Sequence, residues 1–249
     1  MSFAEQVVVI TGGGSGIGEA VAHRVVEGGG TAVLLDSRSE ALDRASSGLS
    51  DRGGQVCTAV VDVANASAVS ETMGRLAAEL RRLDVLVNCA GVTSTGRFFA
   101  ISDEEYDRVM GVNVRGIWNC CRSVIPVMVE QKKGAIVNVS SVAALRGGGL
   151  YGTSVYAASK GAVISLTKAL AREFAPDVRC NVVCPSLTMT EMGRAVVEEK
   201  GGMEHVLAMT PLARPAEPTE MAAAICFLGS EEASYVTGQV VAVDGGISM

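Results

Sequence analysis

The chain has 249 residues, 48% of them hydrophobic, and a net charge of −6 at pH 7, so it is long and apolar enough to bury a large core. Its acidic balance argues against a nucleic-acid or anionic-membrane partner, and no apolar run approaches the ~20 residues of a membrane-spanning helix. The seven cysteines contain no CxxC pair, the two histidines lie far apart, and the N-terminal residues lack the layout of a secretion signal. We therefore expect a cytoplasmic protein with reduced thiols and without a metal site.

The first element is an apolar strand over residues 6–11, which leads into a glycine-rich turn and a helical pattern. The turn carries Gly12, Gly16 and Gly18. A turn of this kind between a strand and a helix can bring backbone N–H groups and the helix N-terminus onto a pyrophosphate. The alternative is a strand–helix turn with no ligand. The strand before the turn and the helix after it favour the phosphate-binding interpretation.

A second apolar strand over residues 31–36 ends in Asp36. An acidic side chain at this point can accept hydrogen bonds from an adenosine ribose, and its charge repels a 2′-phosphate. Alternatively, the residue caps the helix that follows. We predict NAD rather than NADP as the cofactor, although Arg38 is close enough in sequence to weaken that preference.

From residue 40 onward, helical and strand-like patterns alternate. We predict helices near residues 40–49, 65–80, 102–131, 155–174 and 218–228, and strands over 56–63, 84–88, 135–141, 179–184 and 239–244. Asp62 could meet an adenine amino group or cap a turn. Residues 185–212 follow no regular pattern, and irregular segments of that length are typical of lids.

This alternation predicts the fold class. The expected architecture is α/β: a doubly wound parallel β-sheet flanked by helices on both faces, in a single Rossmann domain that spans residues 1–249. The substrate loop is expected at about residues 186–212.

Tyr156 and Lys160 lie four apart in a run rich in helix formers, so both side chains project from one helical face. A phenol titrates near pH ~10, and an ammonium one helical turn away lowers that pKa, which produces a general acid/base. Such a tyrosine acts on a carbonyl or an alcohol beside a redox partner. The alternative is an amphipathic helix with a surface tyrosine and lysine, because this spacing often occurs by chance.

Several motifs follow one another in an order that is informative as a set. They are Thr11-Gly12-xxx-Gly16-x-Gly18, Asp62, Asn88-x-Ala90-Gly91, Asn113, Ser141, Tyr156-xxx-Lys160 and Pro185. Each is weak alone, but the ordered set resembles the short-chain dehydrogenase/reductase family in its compact single-domain form. The resemblance covers essentially the whole chain.

The resemblance implies four catalytic residues. Tyr156 would be the proton donor and acceptor at the substrate oxygen, and Ser141 would hydrogen-bond the carbonyl or developing alkoxide. Lys160 would bind the nicotinamide ribose and lower the pKa of Tyr156. Asn113 would kink its helix and hold a water that relays protons to Lys160.

The resemblance also implies a cofactor site, in which Thr188 and Thr190 would bind the nicotinamide carboxamide. The residues expected at the cofactor are Gly12, Ser15, Gly16, Ile17, Gly18, Asp36, Asp62, Val63, Asn88, Ala90, Gly91, Tyr156, Lys160, Pro185, Thr188 and Thr190.

The sequence departs from the family pattern at three places. Cys89 replaces the usual second asparagine, Ser186 replaces a glycine after Pro185, and the segment from Ser141 to Tyr156 is slightly long. The last two departures border the substrate pocket. The expected pocket residues are Thr93, Ser94, Ala143, Arg146, Leu150, Tyr151, Ser186, Leu187, Met189 and Met192. Only Arg146 in that set offers a cation for an acid or phosphate group, unless it is a mobile surface arginine.

The sequence therefore predicts an NAD-dependent oxidoreductase that interconverts a secondary alcohol and a ketone. One alternative is an NADPH-dependent 3-oxoacyl-thioester reductase, against which Asp36 and the acidic balance count. A third is a sensor that binds NAD(H) without turnover, which would have no physical need for the catalytic set. The helices near residues 106–131 and 155–174 are apolar on more than one face, so we expect a homotetramer, or else a homodimer. The alternative is that these faces are buried within the monomer.

Overall fold

The computed structural model describes residues 1–50, 54–148, 153–200 and 203–249. Seven strands lie in these ranges: β1 (Val7–Thr11), β2 (Thr31–Asp36), β3 (Gln55–Val60), β4 (Val85–Asn88), β5 (Gly134–Val139), β6 (Val178–Pro185) and β7 (Val240–Val243). All pair in parallel, in the order β3-β2-β1-β4-β5-β6-β7. The order reverses between β1 and β4, so the predicted doubly wound sheet is confirmed.

Helices connect the strands and cover the sheet. Those of the described ranges are α1 (Gly16–Glu27), α2 (Ser39–Ser50), α3 (Ala66–Leu80), α4 (Asp103–Met110), α5 (Ile117–Glu130), α6 (Val142–Arg146), α7 (Ser154–Glu173), α8 (Glu191–Lys200), α9 (Met203–Met209) and α10 (Pro218–Gly229). No helix in these ranges combines the length and the apolar character needed to cross a bilayer.

The central strand β1 shows why helices lie on both faces of the sheet. Val7 and Val9 point into a core with α3, α5 and α7, whereas Val8 and Ile10 point into a second core with α1, α2 and α10. Successive side chains of a strand face opposite sides, so a strand that is apolar throughout needs a cover on each face. Each fully buried valine or isoleucine contributes about 1.5–3 kcal/mol to that packing.

The predicted helix over residues 102–131 is interrupted. Ser102 caps α4 by accepting from the Glu105 N–H at 3.2 Å, as expected, but a π-helical turn over Gly111–Gly116 separates α4 from α5. Gly116 lies against Val63, where an added Cβ would come within 2.6 Å of a valine methyl. The π-helical turn therefore packs closely against the segment that follows β3. Asn113 lies at the centre of this turn.

Two predicted strands end earlier than expected, β3 at Val60 and β5 at Val139. Asp62 Oδ1 accepts from the Ala64 N–H at 2.9 Å, and Ser141 Oγ accepts from the Ala143 N–H at 3.1 Å. Short polar side chains that bond the backbone two residues on form turns and end strands. At Ser141 the turn begins α6, a helix that the sequence did not predict.

The prediction of an irregular segment over residues 185–212 is wrong, because α8 and α9 occupy most of it. Thr190 Oγ1 accepts from the Gly193 N–H at 3.1 Å and so starts the first of these helices. The sequence signal was weak because the helices are short and begin without an obvious apolar stripe. We call residues 186–212 the lid.

Candidate active site

A cleft of about 840 Å³ lies at the carboxyl ends of the central strands. It is bordered by the glycine-rich turn after β1, the end of β2, the loops after β4 and β5, and the lid after β6. In open α/β sheets this edge, at the point where the strand order reverses, is where ligands bind.

The glycine-rich turn is held close to the sheet. Gly13 N–H donates to the Leu35 carbonyl at 3.1 Å, and Gly14 N–H donates to Asp36 Oδ2 at 3.2 Å. At Gly18 an added Cβ would lie 2.3 Å from the Gly12 carbonyl oxygen, so no other residue fits there. The tight turn exposes the N-terminus of α1 to the cleft, where it favours an anionic group.

Asp36 forms the floor of the cleft at the end of β2 and is almost completely buried. Its Oδ1 accepts from the Arg38 N–H at 3.1 Å, and its Oδ2 accepts from Gly14. Arg38 Nε also donates to Oδ1, at 3.4 Å. An ionised carboxylate can accept about four hydrogen bonds, so Asp36, which lines the cleft, keeps capacity for about one more. Ser15, Arg38 and Glu191 surround it and also line the cleft.

At the other end of the cleft, α7 presents Tyr156 and Lys160 on one face. The Lys160 ammonium lies 5.8 Å from the centre of the Tyr156 ring and donates to the Val139 carbonyl at 3.0 Å. The Ser141 hydroxyl hydrogen-bonds the Tyr156 side chain. Three of the four residues that the sequence analysis assigned to catalysis are thus gathered around one point of the cleft wall.

The expectation that Lys160 lowers the pKa of Tyr156 is not met in this cleft. Burial raises the pKa of Tyr156, and the hydrogen bond from Ser141 opposes that effect without reversing it. Burial also lowers the pKa of Lys160, to about 8. The predicted proximity of Tyr156 and Lys160 was correct, but desolvation is the largest influence on the pKa of each group.

Asn113 lies behind this point, fully buried in the π-helical turn. Its Oδ1 accepts from the Val92 N–H at 2.9 Å, and its Nδ2 donates to the Val92 carbonyl at 2.9 Å and to Ser159 Oγ at 3.0 Å. Ser159 in turn donates to the Tyr156 carbonyl at 2.7 Å. Both amide hydrogens are used by protein groups, so Asn113 joins the loop after β4 to α7 and does not offer those hydrogens to a relay water.

Most residues that the sequence assigned to the site line the cleft, and a few do not. Those that line it are Gly12, Ser15, Gly16, Ile17, Gly18, Asp36, Asp62, Val63, Ala90, Gly91, Thr93, Ser141, Ala143, Arg146, Tyr156, Lys160, Pro185, Ser186, Leu187, Thr188, Thr190 and Met192. Leu150 and Tyr151 lie outside the described residues.

Besides Asn113, three assigned residues do not line the cleft, and their assignments are corrected. Asn88 is buried in the sheet, where its Nδ2 donates to Asn138 Oδ1 at 2.8 Å. Ser94 is buried in a hydrogen bond with Thr153, the residue that caps α7. Met189 pairs its N–H with the Ala216 carbonyl at 2.9 Å. Each sits one or two residues from a position that does face the cleft.

Among the cleft-lining residues that the sequence analysis missed are Met209 in α9 and Ile247 near the C-terminus, which lie far from every predicted motif. Leu212 N–H donates to the Gly245 carbonyl at 3.2 Å, so the C-terminal segment lies against the lid. Nothing local marks either residue, because only the tertiary packing of the tail against the lid brings them together.

The residues present fit a dinucleotide. The glycine-rich turn leaves room for backbone contact with phosphates, and Asp36 has acceptor capacity for a hydroxyl. Lys160 is only 4% exposed and uses one of its three donors on Val139, so two donors remain for groups in the cleft. Among the described residues, no group of three or more His, Cys, Asp or Glu side chains could hold a metal ion.

Comparison with known families agrees with this geometry. A family model described as enoyl-(acyl carrier protein) reductase matches residues 12–248. A meso-2,3-butanediol dehydrogenase from Serratia marcescens is 40% identical, with 99% of this chain and 96% of the relative covered. A 3-oxoacyl-[acyl-carrier-protein] reductase from Thermotoga maritima is 38% identical, with 99% of each chain covered.

Solved structures agree with the fold and with a nicotinamide cofactor. The crystal structure of a gluconate 5-dehydrogenase described as putative, from Beutenbergia cavernae with bound NADP, superposes with a TM-score of 0.93 at 35% identity, covering 99% of this chain and 98% of that one. NAD⁺-bound xylitol dehydrogenase superposes with a TM-score of 0.94 at 28% identity, covering 99% and 100%. Since one structure holds NADP and the other NAD⁺, the comparisons support the cofactor class and leave the choice to the residues of this cleft.

Proposed function

The chain belongs to the short-chain dehydrogenase/reductase family of nicotinamide-dependent oxidoreductases, and from that premise we propose that it interconverts a secondary alcohol and a ketone with NAD as cofactor. The observation that carries the proposal is the arrangement of Ser141, Tyr156 and Lys160 around one point of the cleft. A bound nicotinamide supplies the hydride chemistry.

Each catalytic side chain has a role that follows from its surroundings. Tyr156 gives a proton to the substrate oxygen during reduction and removes it during oxidation. Ser141 donates to the same oxygen as its negative charge develops. Lys160 directs its free donors at the cofactor ribose, and Asn113 acts as a positioning residue through Ser159.

The raised pKa of Tyr156 sets the expected pH dependence. A phenol with a raised pKa is protonated at neutral pH, so the proton donor for ketone reduction is present there. Oxidation needs the phenolate, so we expect alcohol oxidation to become faster as the pH rises above neutrality.

The proposal of NAD over NADP rests on Asp36. Its buried carboxylate lines the cleft at the end of β2 and keeps acceptor capacity, and a 2′-phosphate placed beside it would be repelled. Arg38 is already bonded to protein groups.

The experiment that tests the proposal follows reduced-cofactor absorbance while the chain is supplied with NAD⁺ or NADP⁺ and a panel of secondary alcohols. The panel should hold vicinal diols, polyols, hydroxy acids, cyclic alcohols and 3-hydroxyacyl thioesters. We expect turnover with at least one alcohol and a preference for NAD⁺. Tight NADH binding without turnover on any panel member would instead support the sensor.

A 3-oxoacyl-thioester reductase is the second candidate, favoured by the 38% identical relative. Arg146, exposed at the end of α6, forms no ion pair within the described part of the chain and would be free to meet an acidic substrate group. Faster reduction of a 3-oxoacyl thioester with NADPH than of any simple ketone with NADH would favour this candidate.

We also propose a cytoplasmic homotetramer or homodimer built from a single domain. All seven cysteines are free, as suits a reducing compartment. Trp118 and Val129 are exposed on α5 although the opposite face of that helix is buried. Light scattering after size-exclusion chromatography tests the state, and Trp118→Glu should shift the chain towards monomer.

A further inference from the structure

Arg38 closes the adenosine end of the cleft by contacting three separate segments. Its Nε donates to Asp36 Oδ1 at 3.4 Å, one terminal nitrogen donates to Ser15 Oγ at 2.9 Å, and the other donates to Glu191 Oε2 at 3.4 Å. These partners belong to the end of β2, the glycine-rich turn and the first residue of α8 in the lid. All three nitrogens of the guanidinium are therefore in use.

The two acidic partners of Arg38 differ in their surroundings. Asp36 is buried and also holds the backbone of the glycine-rich turn, so its position is fixed. Glu191 is 79% exposed and has Arg38 as its ion-pair partner. Together the three charged groups carry one net negative charge beside the place where an adenosine ribose would lie.

From this geometry we infer that Glu191 is a cofactor-specificity residue, which acts by holding Arg38 against the lid and withholding its guanidinium from a 2′-phosphate. The inference rests on the proposed function, because it concerns the same cofactor site. A 2′-phosphate would need a cation to offset the repulsion from Asp36, and Arg38 is the cation that lies beside that carboxylate. To bind it, the phosphate must compete with Glu191.

The expected effect is modest, because the ion pair is exposed. Exposed pairs are worth up to about 1 kcal/mol, which corresponds to about a fivefold change in a dissociation constant. NADH carries no 2′-phosphate and does not need the Arg38 guanidinium, so its affinity should change by less than about twofold.

The test measures NADH and NADPH binding to the purified full chain by fluorescence titration, without substrate. Glu191→Gln keeps the size and the acceptor oxygen but removes the charge, and we expect it to bind NADPH about fivefold more tightly. Glu198→Gln is the matched control: it removes the same charge from an exposed position on the same helix, and both affinities should stay as in the native chain. Thermal unfolding of each variant verifies that it is folded.

A double variant tests whether the effect passes through Arg38. In an Arg38→Gln background, Glu191→Gln should leave the NADPH affinity unchanged, since no guanidinium is left to release. The inference is overturned if Glu191→Gln does not tighten NADPH, if Glu198→Gln tightens it equally, or if the gain persists without Arg38. A native chain that binds neither cofactor would overturn the proposed function along with it, whereas NADH binding with no effect of Glu191→Gln would overturn the inference alone.

Discussion

The catalytic end of the cleft and the lid that borders the cleft are built in different ways. At the catalytic end, Asn113 and Ser159 are fully buried and Lys160 is nearly so. Asn113 and Lys160 each bond the backbone of another element, and Ser159 joins Asn113 to the backbone of α7. In the lid, Met192 and Leu212 are 41% and 64% exposed. The first region has a fixed geometry, whereas the exposed side chains of the second can vary with little cost to the fold.

This difference separates reaction from specificity. A proton donor must be held within a fraction of an ångström of its target, which buried hydrogen-bond networks achieve. A substrate pocket needs a shape that suits one compound, and a few exposed side chains on short helices can supply it. We therefore expect catalytic-end substitutions to affect rate or stability strongly, and substitutions of exposed lid residues to affect mainly the choice of substrate or cofactor.

The largest effect is expected at Tyr156. Tyr156→Phe removes the proton donor but keeps the ring, and kcat should fall by about 10³-fold or more. NADH binding should change little, because the phenol hydroxyl acts on the substrate. Tyr235→Phe, at a fully exposed tyrosine, is the control and should leave kcat unchanged. A Tyr156→Phe variant that retains a tenth of the native kcat would exclude Tyr156 as the acid/base.

Asn113→Ala should destabilise the fold by about 2–4 kcal/mol, because it removes the three hydrogen bonds of a buried amide and leaves Ser159 and Val92 without that partner. Urea unfolding gives the free energy, and kcat should fall as well. Asn119→Ala is the comparison, since Asn119 is also buried and donates to the Val63 carbonyl at 2.9 Å. Asn119→Ala should lower the free energy of unfolding but preserve kcat at saturating cofactor. Equal losses of kcat in both variants would contradict a positioning role for Asn113.

Lys160→Met should abolish turnover and yet stabilise the protein by about 1–2 kcal/mol at pH 7. Burial lowers the pKa of Lys160 from 10.5 to about 8, a penalty of about 3 kcal/mol, which exceeds the hydrogen bond lost at Val139. Because the folded pKa lies below the unfolded one, the penalty is complete below pH 8 and disappears as the pH rises to 10.5.

The native chain should therefore gain stability relative to Lys160→Met between pH 8 and pH 10.5, as measured by urea unfolding at several pH values. Lys168→Met, at an exposed lysine of the same helix, should show no such trend. If the difference between the native chain and Lys160→Met does not depend on pH, the ammonium is not desolvated in the folded state.

The smallest effect is expected in the lid. Met192→Ala should raise KM for the best alcohol by about fivefold, since one apolar side chain is worth about 1 kcal/mol in a partly open pocket. Thermal stability should change little. Met249→Ala, at an exposed methionine near the C-terminus, is the control. A large fall in kcat with KM unchanged would place Met192 in the fixed catalytic region instead.

The same contrast explains how much the sequence could predict. The alternation of strands and helices, the glycine-rich turn, Asp36 and the placement of Tyr156 and Lys160 follow from local patterns, because a strand–turn–helix unit positions its own residues. The contribution of Met209 and Ile247 to the cleft could not be predicted, because it depends on the packing of the C-terminal segment against the lid.

The incorrect predictions at the catalytic end concern the direction in which side chains point and the solvation of ionisable groups. Asn88 and Ser94 belong to segments that do reach the cleft, but their side chains turn into the sheet and towards Thr153. The effect of Lys160 on Tyr156 was overestimated because spacing reports proximity and gives no measure of how much water is lost around both groups.

The most direct test of the central claim follows a hydrogen atom. An alcohol that turns over should be prepared with deuterium at the carbinol carbon, and the reduced cofactor formed from NAD⁺ should be examined by NMR. The account predicts that the deuterium appears at the C4 position of the nicotinamide, and that the Tyr156→Phe variant forms almost none of this product. Reduced cofactor without deuterium would contradict direct hydride transfer from a secondary alcohol in this cleft.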